Sequence, residues 1–341
     1  MSAGIQRRIF SGIQPTGRKH LGNYIGAIRQ YVAGQDGAGA GEEAIYCIVD
    51  LHATTVAYDP AELRERLHDT TAILLAAGLH PERCVLFRQG DVREHTELTW
   101  LLGAVTAWGD LNRMHQWKTK REQAESQTGA FVSASLFNYP ILMAADVLAY
   151  RATEVPVGDD QRQHVELMRE VARRFNERFG TTLVEPEHRI PAVGSRVMDL
   201  QDPTSKMSTT SGSEAGTVYV LDDPDRIRKK LKSAVTDSGR EVRRGGPAGG
   251  KEGIENLIEI LCVARDLEPG QVEAEFEGKG YGDFKAAVGD AVVEYLAPVR
   301  ERYAELRADP AELERLLAAG AAKAQALAGP VLADVREAMG V

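Results

Sequence analysis

The chain has 341 residues, 43% of them hydrophobic and 27% charged, with a net charge of −9, a composition that suits a globular protein of two domains. The acidic balance argues against non-specific nucleic-acid binding, so any such contact must come from local basic patches. The longest apolar runs, such as residues 45–49, fall far short of the ~20 residues of a membrane span, and residues 1–8 hold no signal-peptide core. These features predict a cytoplasmic protein without membrane attachment.

In chain order, an apolar run (Ile9, Phe10, Ile13) breaks into a Gly, Pro and Thr turn, and Leu21, Ile25 and Ile28 then recur at helical spacing. A strand entering a helix through such a turn presents backbone amides to an anion near residues 20–23, and Gly22 would let a flat ligand approach the backbone. Residues 34–43 read as a loose glycine-rich insert. Residues 44–49 form a continuous apolar strand of the kind covered on both faces, ending at Asp50-Leu51-His52. Pro60 opens a helix, and residues 84–87 make a second buried strand. This alternation predicts an α/β fold with a doubly wound parallel sheet.

Residues 97–108 read as helical. A basic segment with Arg113, Lys118, Lys120 and Arg121 follows, then a polar stretch at 122–129. Residues 139–150 suggest a helix, 155–157 a short strand, and 163–179 an amphipathic helix. Residues 202–216 form a polar loop carrying an exposed Lys206-Met207 pair. Beyond residue 217 only helical signals remain, at 224–235, 254–266, 281–307 and 310–339, so the C-terminal third is all helical.

The cysteines Cys47, Cys84 and Cys262 are widely spaced, and the histidines show no metal-ligand pattern. Buried free thiols are predicted, and no metal site. On the helix at 139–150, Tyr139, Met143 and Asp146 share one face. An unpartnered buried aspartate costs several kcal/mol, so Asp146 calls for a specific donor. The run Arg226, Arg228, Lys229, Lys230 and Lys232, with Arg240, Arg243 and Arg244, is a candidate for phosphate contacts. Trp100, Trp108 and Trp117 read as core or interface anchors.

Several stretches resemble one family. Pro15-Thr16-Gly17 with His20-Leu21-Gly22-Asn23 looks like the His-x-Gly-His element of class I aminoacyl-tRNA synthetases, and Lys206-Met207-Ser208-Thr209-Thr210 looks like their Lys-Met-Ser-Lys-Ser loop. Residues 155–161 with His164, the stretch from Tyr139 to Asp146, and residues 277–282 extend the similarity over almost the whole chain. It is closest to the bacterial tryptophanyl members of the tyrosyl and tryptophanyl subgroup.

The resemblance implies a Rossmann-like catalytic domain at 1–200, a helical tRNA anticodon-binding domain at 201–306 that includes the mobile Lys-Met-Ser loop, and a C-terminal helix at 307–341 packing back on the catalytic domain. It implies catalytic roles for His20, Asn23, Lys206, Ser208 and Lys120. ATP would be held by Gln14, Thr16, Gly22, Asn23, Gly158, Asp160, Val197, Lys206, Met207, Ser208 and Thr209, with Asp160 on the ribose and magnesium arriving with the nucleotide. L-Tryptophan would be held by Phe10, Gln14, His52, Gln116, Tyr139, Met143, Asp146, Val147, Val157 and Gln161, the indole N–H donating to Asp146 and the ammonium group resting on Tyr139 and Gln161. Met143, where tyrosyl members tend to carry Gln, favours tryptophan. Phenylalanine would leave Asp146 unpaired, a penalty of about 10⁴ to 10⁵ in rate. Tryptophan-specific tRNA and a homodimer complete the implied partners. Thr209 stands where the family carries a second lysine, which implies slower activation. Two alternatives stay open at this point: a tyrosine–tRNA ligase, and a regulatory protein that binds tryptophan and nucleotide without charging tRNA.

Overall fold

The computed structural model describes residues 7–39, 41–126, 131–158, 161–180, 182–189, 197–208, 212–245 and 250–341. Among these residues, five parallel strands, β1 (Arg8–Ile13), β2 (Glu43–Ile48), β3 (Val85–Arg88), β4 (Glu154–Pro156) and β5 (Glu187–Arg189), stand in the order β3-β2-β1-β4-β5. Strand β1 pairs with β2 in the register Phe10 to Ile45 and Gly12 to Cys47, and with β4 through Ile9 and Glu154. The chain runs outward from β1 to β3 and then crosses back to β4. The winding direction therefore reverses beside β1, which opens a crevice at the carboxyl ends of β1 and β4.

The helices of the N-terminal part begin with α1 (Leu21–Asn23), which widens into a π turn at Tyr24–Ile28 and continues as α2 (Arg29–Asp36). Then come α3 (Asp50–Ala53), α4 (Pro60–Ala76), α5 (Glu94–Gly103), α6 (Trp108–Arg113), α7 (His115–Glu125), α8 (Ala134–Leu148) and α9 (Arg162–Phe179). The all-helical C-terminal domain comprises α10 (Pro224–Lys232), α11 (Glu252–Arg265), α12 (Pro269–Glu275), α13 (Tyr281–Arg307) and α14 (Pro310–Met339).

Several local expectations change. Only the start of the insert at 34–43 is helix, Gly34 to Asp36 closing α2, and Gly34 packs: a Cβ there would lie 2.7 Å from the Tyr46 hydroxyl. The basic segment runs from the end of α6 (Arg113) into α7 (Lys118, Lys120 and Arg121), and α8 starts before Tyr139, capped by Ser133, whose hydroxyl accepts from the Leu136 N–H. The expected helix at 97–108 divides into α5 and α6. Strand β5 is polar and carried no apolar signal.

Both sheet faces are covered. Ile45, Cys47 and Val49 join Phe87, Leu148 and Phe175 in one core, while Ala44, Tyr46 and Ile48 join Ile227, Leu257, Phe284 and Leu296 in the other. The continuous apolar run of β2 follows from that two-sided burial. The second core also joins the C-terminal helices to the sheet. By length and composition alone α14 could span a bilayer, contrary to the sequence reading, but it lays Leu317, Gly320 and Ala324 against β3 and α4 or α5. Its close approach depends on Gly320, where a Cβ would sit 1.8 Å from the Leu86 carbonyl oxygen.

Candidate active site

A cavity of about 380 Å³ occupies the crevice at the ends of β1 and β4. Strand β1 and its continuation supply Phe10 and Gln14, and α3 supplies His52. Helix α7 contributes Gln116 and Lys120, and α8 contributes Tyr139, Met143, Asp146 and Val147. The run after β4 adds Val157, Gly158 and Gln161, and α1 adds Asn23. Every residue expected for the amino-acid pocket thus lines one space.

Asp146 is not short of partners. Its Oδ2 lies 2.8 Å from His52 Nε2, and its Oδ1 lies 2.6 Å from Gln89 Nε2 and 2.6 Å from His95 Nδ1. Burial alone would raise its pKa, but the imidazoles of His52 and His95 outweigh that and bring it down to about 2. The expectation of an aspartate paired only by a ligand is corrected here, since three donors from the protein already stabilise its charge. The Tyr139 hydroxyl lies 3.0 Å from His164 Nε2, and the Lys120 ammonium stands 4.6 Å over the Tyr139 ring. Burial lifts the Tyr139 phenol to about 12 and lowers the Lys120 amine.

At the turn after β1, His20 and Asn23 form a reciprocal cap. The Asn23 N–H donates to His20 Nδ1 and the His20 N–H donates to Asn23 Oδ1, each at 3.2 Å. Since Nδ1 accepts, the neutral ring carries its proton on Nε2. Burial, then the charges of Lys206 and Lys19, push the His20 pKa down to about 4. Lys19 clamps the turn by donating to the carbonyls of Gln14 at 2.6 Å and Thr16 at 3.1 Å, and burial lowers its pKa to about 8. The space at Gly22 serves the protein first: a Cβ there would meet the His20 ring at 3.0 Å.

Among the described residues, Thr16, His20, Gly22, Val197, Lys206, Met207 and Ser208 are not part of the cavity wall. The segment at 205–208 lies along 197–199, with Asp199 N–H donating to Ser205 O at 2.8 Å and Met207 N–H to Val197 O at 3.0 Å. Met207 is buried with Val197 in the second core rather than exposed, while Lys206 points to solvent. Asp160 and Thr209 lie outside the described residues.

Sequence reasoning missed Gln89 and His95, which sit 57 and 51 residues before Asp146 in the chain. It also overstated the basic run. Lys230 is buried against Asp222 at 2.7 Å, Arg228 pairs with Asp290 at 2.8 Å, Arg226 pairs with Glu214, and Arg244 bonds Glu273 at 3.1 Å. Arg18 joins this cluster at Asp222, 2.7 Å away, and lies over Tyr219. These charges tie the turn after β1 to α10. Trp117 is core, whereas Trp100 and Trp108 are 83% and 68% exposed. Cys47 and Cys84 are buried free thiols, and Cys262 is half-buried.

Residues 4–297 match the family described as tRNA synthetases class I (W and Y). The chain is 47% identical over 334 residues to tryptophan–tRNA ligase 1 of Streptomyces coelicolor, an alignment covering 98% of this chain and 97% of that protein. It is similar in structure to tryptophanyl-tRNA synthetase from Mycoplasma pneumoniae, with a TM-score of 0.88, 32% identity, and coverage of 99% of this chain and 98% of that one. The Campylobacter jejuni tryptophanyl-tRNA synthetase complexed with ADP and tryptophan matches with a TM-score of 0.82 and 32% identity over 98% of this chain and all (100%) of that one. With its parallel sheet, its helical C-terminal domain and a sequence match of this extent, the chain belongs to the tyrosyl and tryptophanyl family of class I tRNA synthetases.

Proposed function

We propose that this protein is a tryptophan–tRNA ligase: it joins L-tryptophan to ATP, giving tryptophanyl-adenylate and pyrophosphate, and passes the acyl group to tryptophan-specific tRNA. The observation that carries the reading is the cavity itself, which brings the apolar side chains of Phe10, Met143, Val147 and Val157 into one space with the carboxylate of Asp146. The indole ring lies among Phe10, Met143, Val147 and Val157, with its N–H on Asp146. The ammonium group rests on Gln161 and on the Tyr139 oxygen, an acceptor once its hydrogen is given to His164. Gln14, His52 and Gln116 complete the wall.

ATP binds beside this pocket as its magnesium complex. The magnesium would arrive with the nucleotide and supply charge neutralisation at its phosphates. Asn23 and the Nε2–H of His20 donate to the triphosphate, with Thr16 and Gly22 in the same turn. Gly158, Asp160 and Val197 take the nucleoside. Lys206, Met207, Ser208 and Thr209 serve the phosphates, and Lys120 adds a further charge.

The tryptophan carboxylate attacks the α-phosphorus and pyrophosphate leaves, without a covalent enzyme intermediate. Rate enhancement comes from alignment and from donors set against developing phosphate charge. Losing one such donor typically costs about 2.7 to 4 kcal/mol.

The enzyme acts in the cytoplasm as a homodimer. Trp100, Trp108 and Phe131, with exposures of 83%, 68% and 82%, are the candidate side chains for its interface. The domain limits at residues 200 and 306 and the anticodon-binding role of the helical part follow the family pattern.

ATP–pyrophosphate exchange measured in parallel with tryptophan, tyrosine and phenylalanine tests the reading. Exchange strongest with tryptophan supports it, and exchange driven by tyrosine would overturn it. Because three donors already occupy Asp146, this carboxylate alone penalises phenylalanine by a single missing hydrogen bond, about 1 to 3 kcal/mol. That is far less than the 10⁴ to 10⁵ expected for an otherwise unpaired carboxylate.

A further inference from the structure

Behind the cavity wall lies a hydrogen-bonded chain that the reaction itself does not use. Gln89, His95 and Tyr150 are fully buried, each at 0% exposure. His95 Nδ1 is 2.6 Å from Asp146 Oδ1, and His95 Nε2 is 2.6 Å from the Tyr150 hydroxyl. An ionised carboxylate only accepts, so the His95 proton toward it is on Nδ1. In the neutral ring, Nε2 must then accept from Tyr150. The Tyr150 ring is held by stacking on Phe10, centroids 5.5 Å apart, and by Phe87 at 5.9 Å. Because Phe10 also lines the cavity, the chain begins beside the pocket and returns to it at Asp146.

A carboxylate offers about four acceptor positions, two on each oxygen. On Oδ1 both are taken, by Gln89 and His95, and on Oδ2 one is taken, by His52. We infer that Tyr150, His95 and Gln89 act as positioning residues that saturate Oδ1 and turn Asp146 so that a single acceptor position, on Oδ2 beside His52, is offered to one ring N–H of the substrate. The inference rests on the tryptophan ligase reading and deepens it, assigning part of the enzyme's selectivity to side chains that never touch substrate. With Oδ1 unsaturated, Asp146 could rotate or recruit a water, and its demand for a substrate donor would slacken.

The test compares tryptophan with β-(3-benzothienyl)alanine, in which sulfur replaces the indole N–H at nearly the same shape. Steady-state ATP–pyrophosphate exchange is measured for the unaltered chain, Tyr150→Phe, His95→Asn and His95→Leu. The unaltered chain should prefer tryptophan by about 10- to 100-fold in kcat/KM, the worth of one hydrogen bond to a charged group. Tyr150→Phe keeps the packed ring and should shrink that preference about fivefold or more. The loss should come through KM for tryptophan, with KM for ATP within about twofold of the unaltered value. His95→Asn retains a donor near the Nδ1 position and should keep more of the preference than His95→Leu.

An unchanged preference in Tyr150→Phe, or an equal fall for both amino acids, would overturn the inference while the ligase reading stands. Absence of tryptophan-dependent exchange in the unaltered chain would overturn both.

Discussion

The fold sets the protonation of Asp146 and His20 in ways that stability measurements can read. For Asp146 the imidazoles of His52 and His95 win over burial, and its carboxyl titrates near 2 instead of near the ordinary 3.8. A depressed carboxyl stabilises the fold above the unfolded value and ceases to do so as pH falls through the folded one, so this contribution, about 2 kcal/mol, is lost between about pH 4 and 2. Replacing Asp146 by Asn would turn an amide N–H toward at least one of His52, Gln89 and His95. We expect a loss of about 3 kcal/mol in stability and at least a tenfold rise in KM for tryptophan. Urea melts and exchange kinetics check the pair of effects, and an unchanged KM would contradict the role given to this carboxylate.

His20 has a pKa of about 4, lowered chiefly by burial. Between about 6.5 and 4 the unfolded chain binds a proton that the folded chain refuses, so stability is full above about 6.5 and falls as pH drops toward 4, by up to about 3 kcal/mol. His20→Asn keeps a good N-cap and should flatten that slope in melts from pH 7 to 4.5. A slope identical to that of the unaltered chain would place the titration elsewhere.

At the scale of elements, the contact of α14 with β3 gives a sharp test. Gly320→Ala places a methyl group against the Leu86 carbonyl and should cost about 1–3 kcal/mol or more by overpacking. Gly270→Ala, with open space around the added carbon, should leave stability unchanged or raise it by no more than about 1 kcal/mol. Thermal melts of the two variants separate a packing glycine from an incidental one.

The sequence made β2 legible because a strand buried on both faces is a continuous apolar run, and β1 legible because Ile9, Phe10 and Ile13 lead into a Gly and Pro turn. It made the face of α8 legible because Tyr139, Met143 and Asp146 recur at helical spacing. Polar β5 gave no such signal, and the glycines around residue 37 masked the end of α2. The Asp146 network could not be read, because Gln89 and His95 belong to other elements and only the fold brings them to α8. A basic cluster such as 226–232 is ambiguous for the same reason: its acidic partners Glu214, Asp222 and Asp290 look unrelated until the chain is folded.

At the scale of the whole molecule, the catalytic sheet and the helical domain share one continuous core, so the turn at residues 17–23 is held from both sides. Leu21 N–H donates to Val218 O at 2.8 Å and Val220 N–H to Lys19 O at 2.9 Å. The exposed tryptophans belong to α5 and α6, which pack on α8, so an interface there would brace the helix that carries Asp146. Trp100→Glu combined with Trp108→Glu should convert a dimer into a monomer in sedimentation at micromolar concentration. A mass unaltered by the pair of changes would place the interface elsewhere.

The measurement that bears most directly on the whole account is charging of unfractionated tRNA with radiolabelled amino acid by the purified chain in the presence of ATP and magnesium. Tryptophan should be esterified to a single acceptor species while tyrosine is not. Tyrosine charging, or tryptophanyl-adenylate formed with no transfer to tRNA, would contradict it.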